Sequence, residues 1–155
     1  MHSFEGQDTT QTLAEGLDEY YRLNPQLASA RAMSPEAREF LRCHDTAHVV
    51  FGCNTSLPHE AVVKLSSIFG TTGGFAVLRG YSLHESMNIY RGLAITDIVW
   101  TLLTSVIIVP RTVARCLRQH KRWPWQEFAQ YRDVPLGRLR DEFGIRVAGF
   151  APRLD

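Results

Sequence analysis

Apolar residues recur at spacings of three and four along almost the whole of this 155-residue chain, and period-two alternation is confined to a short piece at 145–150. Residues three and four apart share one face of a helix, whereas alternate residues share one face of a strand, so the period selects helix. Local punctuation agrees. Leu13, Leu17, Tyr20 and Tyr21 form a helical stripe, with Asp8 or Thr9 available as its cap and Asn24-Pro25 as its stop near Leu23. Ser34-Pro35-Glu36 is a sharper start: the serine caps, the proline presets φ in the first turn, and the acid meets the positive dipole end. Phe40, Leu41, Ala47 and Phe51 carry that helix to Gly52, the turn residues Asn54-Thr55-Ser56 follow, and Pro58 opens a helix holding Glu60, Val63, Leu65 and Ile68.

Gly70, Gly73, Gly74 and Gly80 then loosen the chain. The GTTGG run lacks the Lys-Ser/Thr ending of a phosphate loop and reads as a flexible connection. A long apolar helix is predicted from about 83 to 109, broken or kinked at Pro110 and continued as a basic helix from about 111 to 120. Pro124 and Pro135 each stand where a short helix could open, Gly144 suits the stop of the last one, and 145–150 carries the one weak strand signal. The expectation is an all-α fold: a single domain over 1–155, built as a compact bundle of about six to seven helices, with 1–8 a flexible tail.

Composition narrows the function. A formal net charge of +1 argues against a dedicated nucleic-acid binder. Three cysteines without a CxxC pair argue against both a disulfide framework and a thiolate zinc cluster, and favour a reducing, intracellular compartment. The opening MHSFEGQDTT resembles neither a secretory signal nor a transit peptide. The longest apolar stretch, 98–110, is interrupted by Thr101, Thr104 and Ser105 and falls short of the roughly 20 residues a bilayer crossing needs.

The chemistry concentrates in Cys43-His44-Asp45-Thr46-Ala47-His48, with Glu60 twelve positions beyond. His44 and His48 lie one helical turn apart on one face, and Asp45 falls at its edge. On a straight helix Glu60 would lie about 18 Å past His48. The turn between Gly52 and Pro58 lets the second helix fold back, so that Glu60, in its first turn, faces His48 across a hairpin. Two imidazoles and two carboxylates suit a divalent metal: zinc first and non-haem iron second, with magnesium or manganese also admitted by the carboxylates. His59 reads as a surface histidine at a helix start, and Cys43 as a small buried residue.

HDTAHVVFG followed by Glu60 fits His-Asp-x-x-His-x(11)-Glu, and here the chain resembles the ubiquinone (coenzyme Q) biosynthesis protein 4 family in its bacterial form. The flanking Arg42 and Cys43, the WQEF stretch and the closing PLGRLRDEFGI are similar too. The resemblance implies a helical, often dimeric protein that associates with membranes, binds prenylated lipids and works beside other quinone-biosynthesis proteins. It implies His44, Asp45, His48 and Glu60 as metal ligands. It also implies oxidative decarboxylation of a polyprenylated hydroxybenzoate, the ring carboxylate giving way to hydroxyl. A cytoplasmic location on the inner face of the membrane follows for a bacterial member. The competing functions are a non-catalytic prenyl-lipid scaffold, in which the metal only locks the hairpin, and a metal-dependent hydrolase. Against the hydrolase, Asp45 is one methylene shorter than the glutamate base of HExxH enzymes, and only His2 precedes the motif.

Two further features bear on lipid. Ile95, Ile98, Val99, Leu102, Leu103, Val106 and Ile107 are apolar around more than one face, which suits a core helix whose second face lines a lipid channel or a dimer seam. Arg111, Arg115, Arg118 and Arg122 then recur at helical steps. They make either a solvated face or a basic stripe for lipid head groups, with Trp123 and Trp125 at headgroup level.

Overall fold

The chain is described by a computed structural model over residues 2–27, 34–81 and 95–149, with side chains beginning at 105 in the last stretch. Among these residues stand six α-helices and no strand: α1 (Leu13–Leu23), α2 (Pro35–Val50), α3 (Leu57–Phe69), α4 (Val77–Tyr81), α5 (Ile95–Leu117) and α6 (Leu136–Phe143). Short 3-10 turns precede α1, α4 and α6, at Ser3–Glu5, Gly74–Ala76 and Phe128–Tyr131. The expected all-α architecture is present. The start of the long helix near 83 lies outside the described residues.

Helix α1 begins later than Asp8 or Thr9 would have it. Thr12 and Glu15 form a capping box, the threonine hydroxyl accepting from Glu15 N–H and the Glu15 carboxylate accepting from Thr12 N–H. Residues 9–11 are engaged elsewhere, since the carbonyls of Thr9 and Gln11 accept from Gly137 and Leu136 of α6. In return, Val134 and Arg132 offer carbonyls to Leu13 and Ala14, donors that a helix start leaves unpaired.

Ser34 caps α2 through Ala37 N–H, with Pro35 at the first position, as its chemistry predicted. The helix ends in a paired closure: Cys53 N–H reaches back to the His48 carbonyl at 2.8 Å and Gly52 N–H to Val49 at 3.2 Å. Gly52 sits at φ +66°, where a side chain is strained, and a Cβ there would meet Val147 at 2.7 Å. This closure turns the chain so that α3 can pack back on α2, and α3 in turn lies along α5.

The segment expected as a loose tail is instead held in place. Phe4 is fully buried, and the guanidinium of Arg140, also fully buried, donates to the carbonyls of Phe4 (2.6 Å), Gly6, Gln7 (3.4 Å), Val49 (2.9 Å) and Val50 (2.9 Å). One side chain thus ties the N-terminal segment to the last turn of α2. Residues 145–149 form no strand; Ile145 closes α6 instead, its N–H on the Arg140 carbonyl and Gly144 at φ +69°. No helix opens at Pro124, where Trp125 N–H is held by the Thr72 hydroxyl. Helix α5 runs through Pro110 without interruption and stops at Leu117, short of the expected 120. It turns Ile108, Thr112 and Cys116 inward and leaves Val106, Ile107, Val109 and Leu117 exposed.

Candidate metal centre

The hairpin predicted from the turn residues brings His44 and His48 of α2 against Glu60 of α3. His48 Nε2 lies 3.1 Å from one Glu60 oxygen and His44 Nε2 3.6 Å from the other. One donor atom from each residue falls within 4.8 Å of the other two, close enough to hold one metal ion. Both Nε2 atoms are buried and make no hydrogen bond, although each lies within ion-pair distance of Glu60. Buried polar atoms are normally satisfied, so two orphaned imidazole nitrogens aimed at one point beside a carboxylate fit a cation among them.

The tautomer of His48 is set by the α2 closure. Its Nδ1 lies 3.2 Å from the Cys53 carbonyl, which can only accept, so Nδ1 carries the proton and Nε2 offers a lone pair. Tyr20 covers this ring at 5.3 Å between centroids, while Phe40 and Tyr81 cover the ring of His44 at 6.0 and 5.6 Å. The Glu60 side chain keeps 24 % of its surface exposed against 0 % for His48, so the group is reached from the α3 side. Lys64, one turn beyond Glu60, places its ammonium over Tyr81 at 5.2 Å.

Burial alone would push the Glu60 carboxyl up, but the two histidines outweigh it and hold it well below the usual carboxylate range. Burial works against a charged His44 ring as well, yet its contacts with Asp45 and Glu60 push it up to about 9. Without a metal, the site therefore favours a charged His44 ring beside an ionised Glu60.

Asp45 stands outside the group. One residue further round the helix than His44, it receives the Tyr21 hydroxyl at 3.1 Å on Oδ2, and its Oδ1 lies 3.7 Å from His44 Nδ1, across the ring from Glu60. Of the four expected ligands, His44, His48 and Glu60 thus converge, and Asp45 lies beside His44. His59 is buried rather than on the surface, and its Nδ1 accepts Asn54 N–H at 2.8 Å, bracing the turn into α3. Burial holds its pKa down, in keeping with that acceptor role. Cys43 is buried as expected, and burial pushes its thiol up to about 12. The arginine stripe is divided: Arg111 is exposed, Arg115 is half-buried with a 3.4 Å bond to the Val147 carbonyl, and Arg118 and Arg122 lie beyond the end of α5.

Phe40, Tyr81, Tyr21 and Lys64 were not singled out from the sequence as parts of a site. Lys64 carried a signal, since it stands one turn beyond Glu60 on the same helix face. A groove of about 860 Å³ is lined by Phe40, Cys43, Val77 and Trp125, with Glu36, Glu39, Arg79 and Glu127 also on its walls. No helix among the described residues is long and apolar enough to cross a membrane. Comparison with protein-family models, curated proteins and solved structures returned no match.

Proposed function

We propose that this chain is a metal-dependent protein of prenylquinone biosynthesis that binds a divalent ion, zinc by preference, between His44, His48 and Glu60 and acts on a prenylated hydroxybenzoate. The observation that carries the metal is the convergence on one carboxylate of two buried Nε2 atoms that make no hydrogen bond. The substrate class comes from the likeness of HDTAHVVFG and Glu60 to the coenzyme Q family motif. A bound divalent ion supplies Lewis acidity for an anionic oxygen of the substrate. The protein groups fit that task. Lys64 adds positive charge near Glu60 for a ring carboxylate, and the Phe40 and Tyr81 rings offer an apolar wall for the aromatic ring. The groove that Phe40 helps to line has room for hydrocarbon. Exposed Val106, Ile107 and Val109, with Arg111 following, suit contact with an anionic lipid surface without crossing it.

Exchanging a ring carboxylate for hydroxyl releases carbon dioxide and removes two electrons from the substrate, so an oxidant such as dioxygen must be present. The test is to supply the zinc- or iron-loaded protein with a polyprenyl hydroxybenzoate in air and to follow the product by mass spectrometry. The proposal expects loss of the carboxylate mass with gain of hydroxyl, dependent on Glu60 and absent with Glu60→Ala. Tight lipid binding without turnover under either metal would leave a scaffold and overturn the enzyme.

A further inference from the structure

The 860 Å³ groove carries charge that hydrocarbon alone does not call for. Two of its wall residues are aromatic: the Phe40 and Trp125 rings lie 6.0 Å apart at 49°. Both are held in place, Trp125 by its backbone N–H on the Thr72 hydroxyl at 3.0 Å and Phe40 by Tyr81, edge-on at 5.0 Å. The lining also brings three carboxylates, Glu36, Glu39 and Glu127, against one guanidinium, that of Arg79. Glu39 is paired to Arg42 at 2.9 Å, whereas the exposed Glu36 and Glu127 make no ion pair among the described residues. Cys43, another wall residue, feels this negative charge: burial first, and then Glu39, push its thiol up. The same region already seats one cation on a ring, since the Arg42 guanidinium lies 5.2 Å over Phe128 while paired to Glu39.

We infer that the groove is a binding site for an organic cation with an apolar body, an alkyl- or arylammonium, whose charge meets Glu36 and Glu127 while its body lies against Phe40, Val77 and Trp125. Aromatic faces attract cations, and quaternary ammonium groups are the ligands that ring-lined, acid-rimmed sites take. The volume falls within the range of about 300–1,000 Å³ that small-molecule sites occupy. Two carboxylates without ion pairs complement a positive charge and disfavour a negative one, so the lining selects against fatty acids and other anionic amphiphiles. This goes beyond the room for hydrocarbon described above, which asks for no charge, and it does not rest on the metal.

The experiment titrates octyltrimethylammonium, octanol and octanoate, each below its micellar concentration, into the whole chain by calorimetry at low and at high salt. The same titrations are run on the double variant Glu36→Gln/Glu127→Gln, whose two positions are exposed and leave the core untouched. The expected result is one ammonium per chain, bound about tenfold more tightly than octanol, with octanoate the weakest of the three. High salt should shrink that preference, because the carboxylates are exposed and screened. The double variant should bring the ammonium down toward octanol and leave octanol itself unchanged. Equal binding of ammonium and octanol would leave a purely hydrocarbon groove and overturn the inference. A preference for ammonium that survives in the double variant would place the cation elsewhere and overturn it too. Octanoate binding most tightly, or none of the three binding, would also overturn it.

Discussion

The proton on His48 is placed by a turn: the α2 closure at Gly52 delivers the Cys53 carbonyl to Nδ1 and frees Nε2 for the site. His44 has a less settled charge, and that gives a pH prediction for the metal-free protein. Its folded pKa of about 9 lies above its ordinary 6.5, so its contribution is complete below 6.5 and is lost as pH climbs toward 9. Glu60 works in the opposite sense: held below its ordinary 4.5, it contributes above that value and loses the contribution as pH falls. Melting in chelator should therefore show greatest stability near pH 4.5–6.5 and a decline toward 9 that His44→Gln abolishes. Excess zinc should reverse the decline, since the ion replaces the proton; a flat chelator profile across 6.5–9 would count against the pairing. Arg140 yields a separate prediction. Arg140→Met strands the buried carbonyls of Phe4, Val49 and Val50 and should destabilise by about 3 kcal/mol or more in denaturant titration. A loss under about 1 kcal/mol would mean that water replaces the guanidinium.

At the scale of the helices, local chemistry decided what could be read in advance. Ser34-Pro35 was legible because cap and proline lie within one turn, and the α2–α3 hairpin because Gly52 and Asn54 break the period between two apolar runs. The start of α1 was not, because the competing Thr12-Glu15 box wins once Thr9 and Gln11 are paired to Gly137 and Leu136 of α6, far away in sequence. The same distance hid the role of the N-terminal segment, whose anchor is Arg140. That residue had left a trace, falling at the spacing of Leu136, Leu139 and Phe143 on the buried face of α6. Three of the four expected ligands converge because helix spacing and hairpin geometry govern them; Asp45 instead accepts the Tyr21 hydroxyl from another helix. Gly52→Ala tests the hairpin. It should cost about 1–3 kcal/mol from the left-handed φ and the Val147 clash. It should also weaken metal binding, because the Cys53 carbonyl moves with the turn. A variant that is destabilised yet binds zinc unchanged would separate the closure from the site.

Across the whole molecule, the site joins α2 to α3, α3 packs on α5, and Arg140 ties the end of α2 to both the N-terminal segment and α6. Metal binding should therefore stabilise the fold as a unit: at a hundredfold excess over Kd the linkage is about 2.7 kcal/mol. For a chain of this length that corresponds to roughly 5–11 °C in Tm, reversible by chelator. Absence of any shift at saturating zinc would place the ion elsewhere. The most direct measurement is elemental analysis of the purified chain after zinc loading and desalting, beside Glu60→Ala and His48→Ala that retain wild-type helical content by circular dichroism. The account predicts one zinc per wild-type chain and close to none in either variant. Wild type that emerges metal-free, or variants that keep a full equivalent, would contradict it.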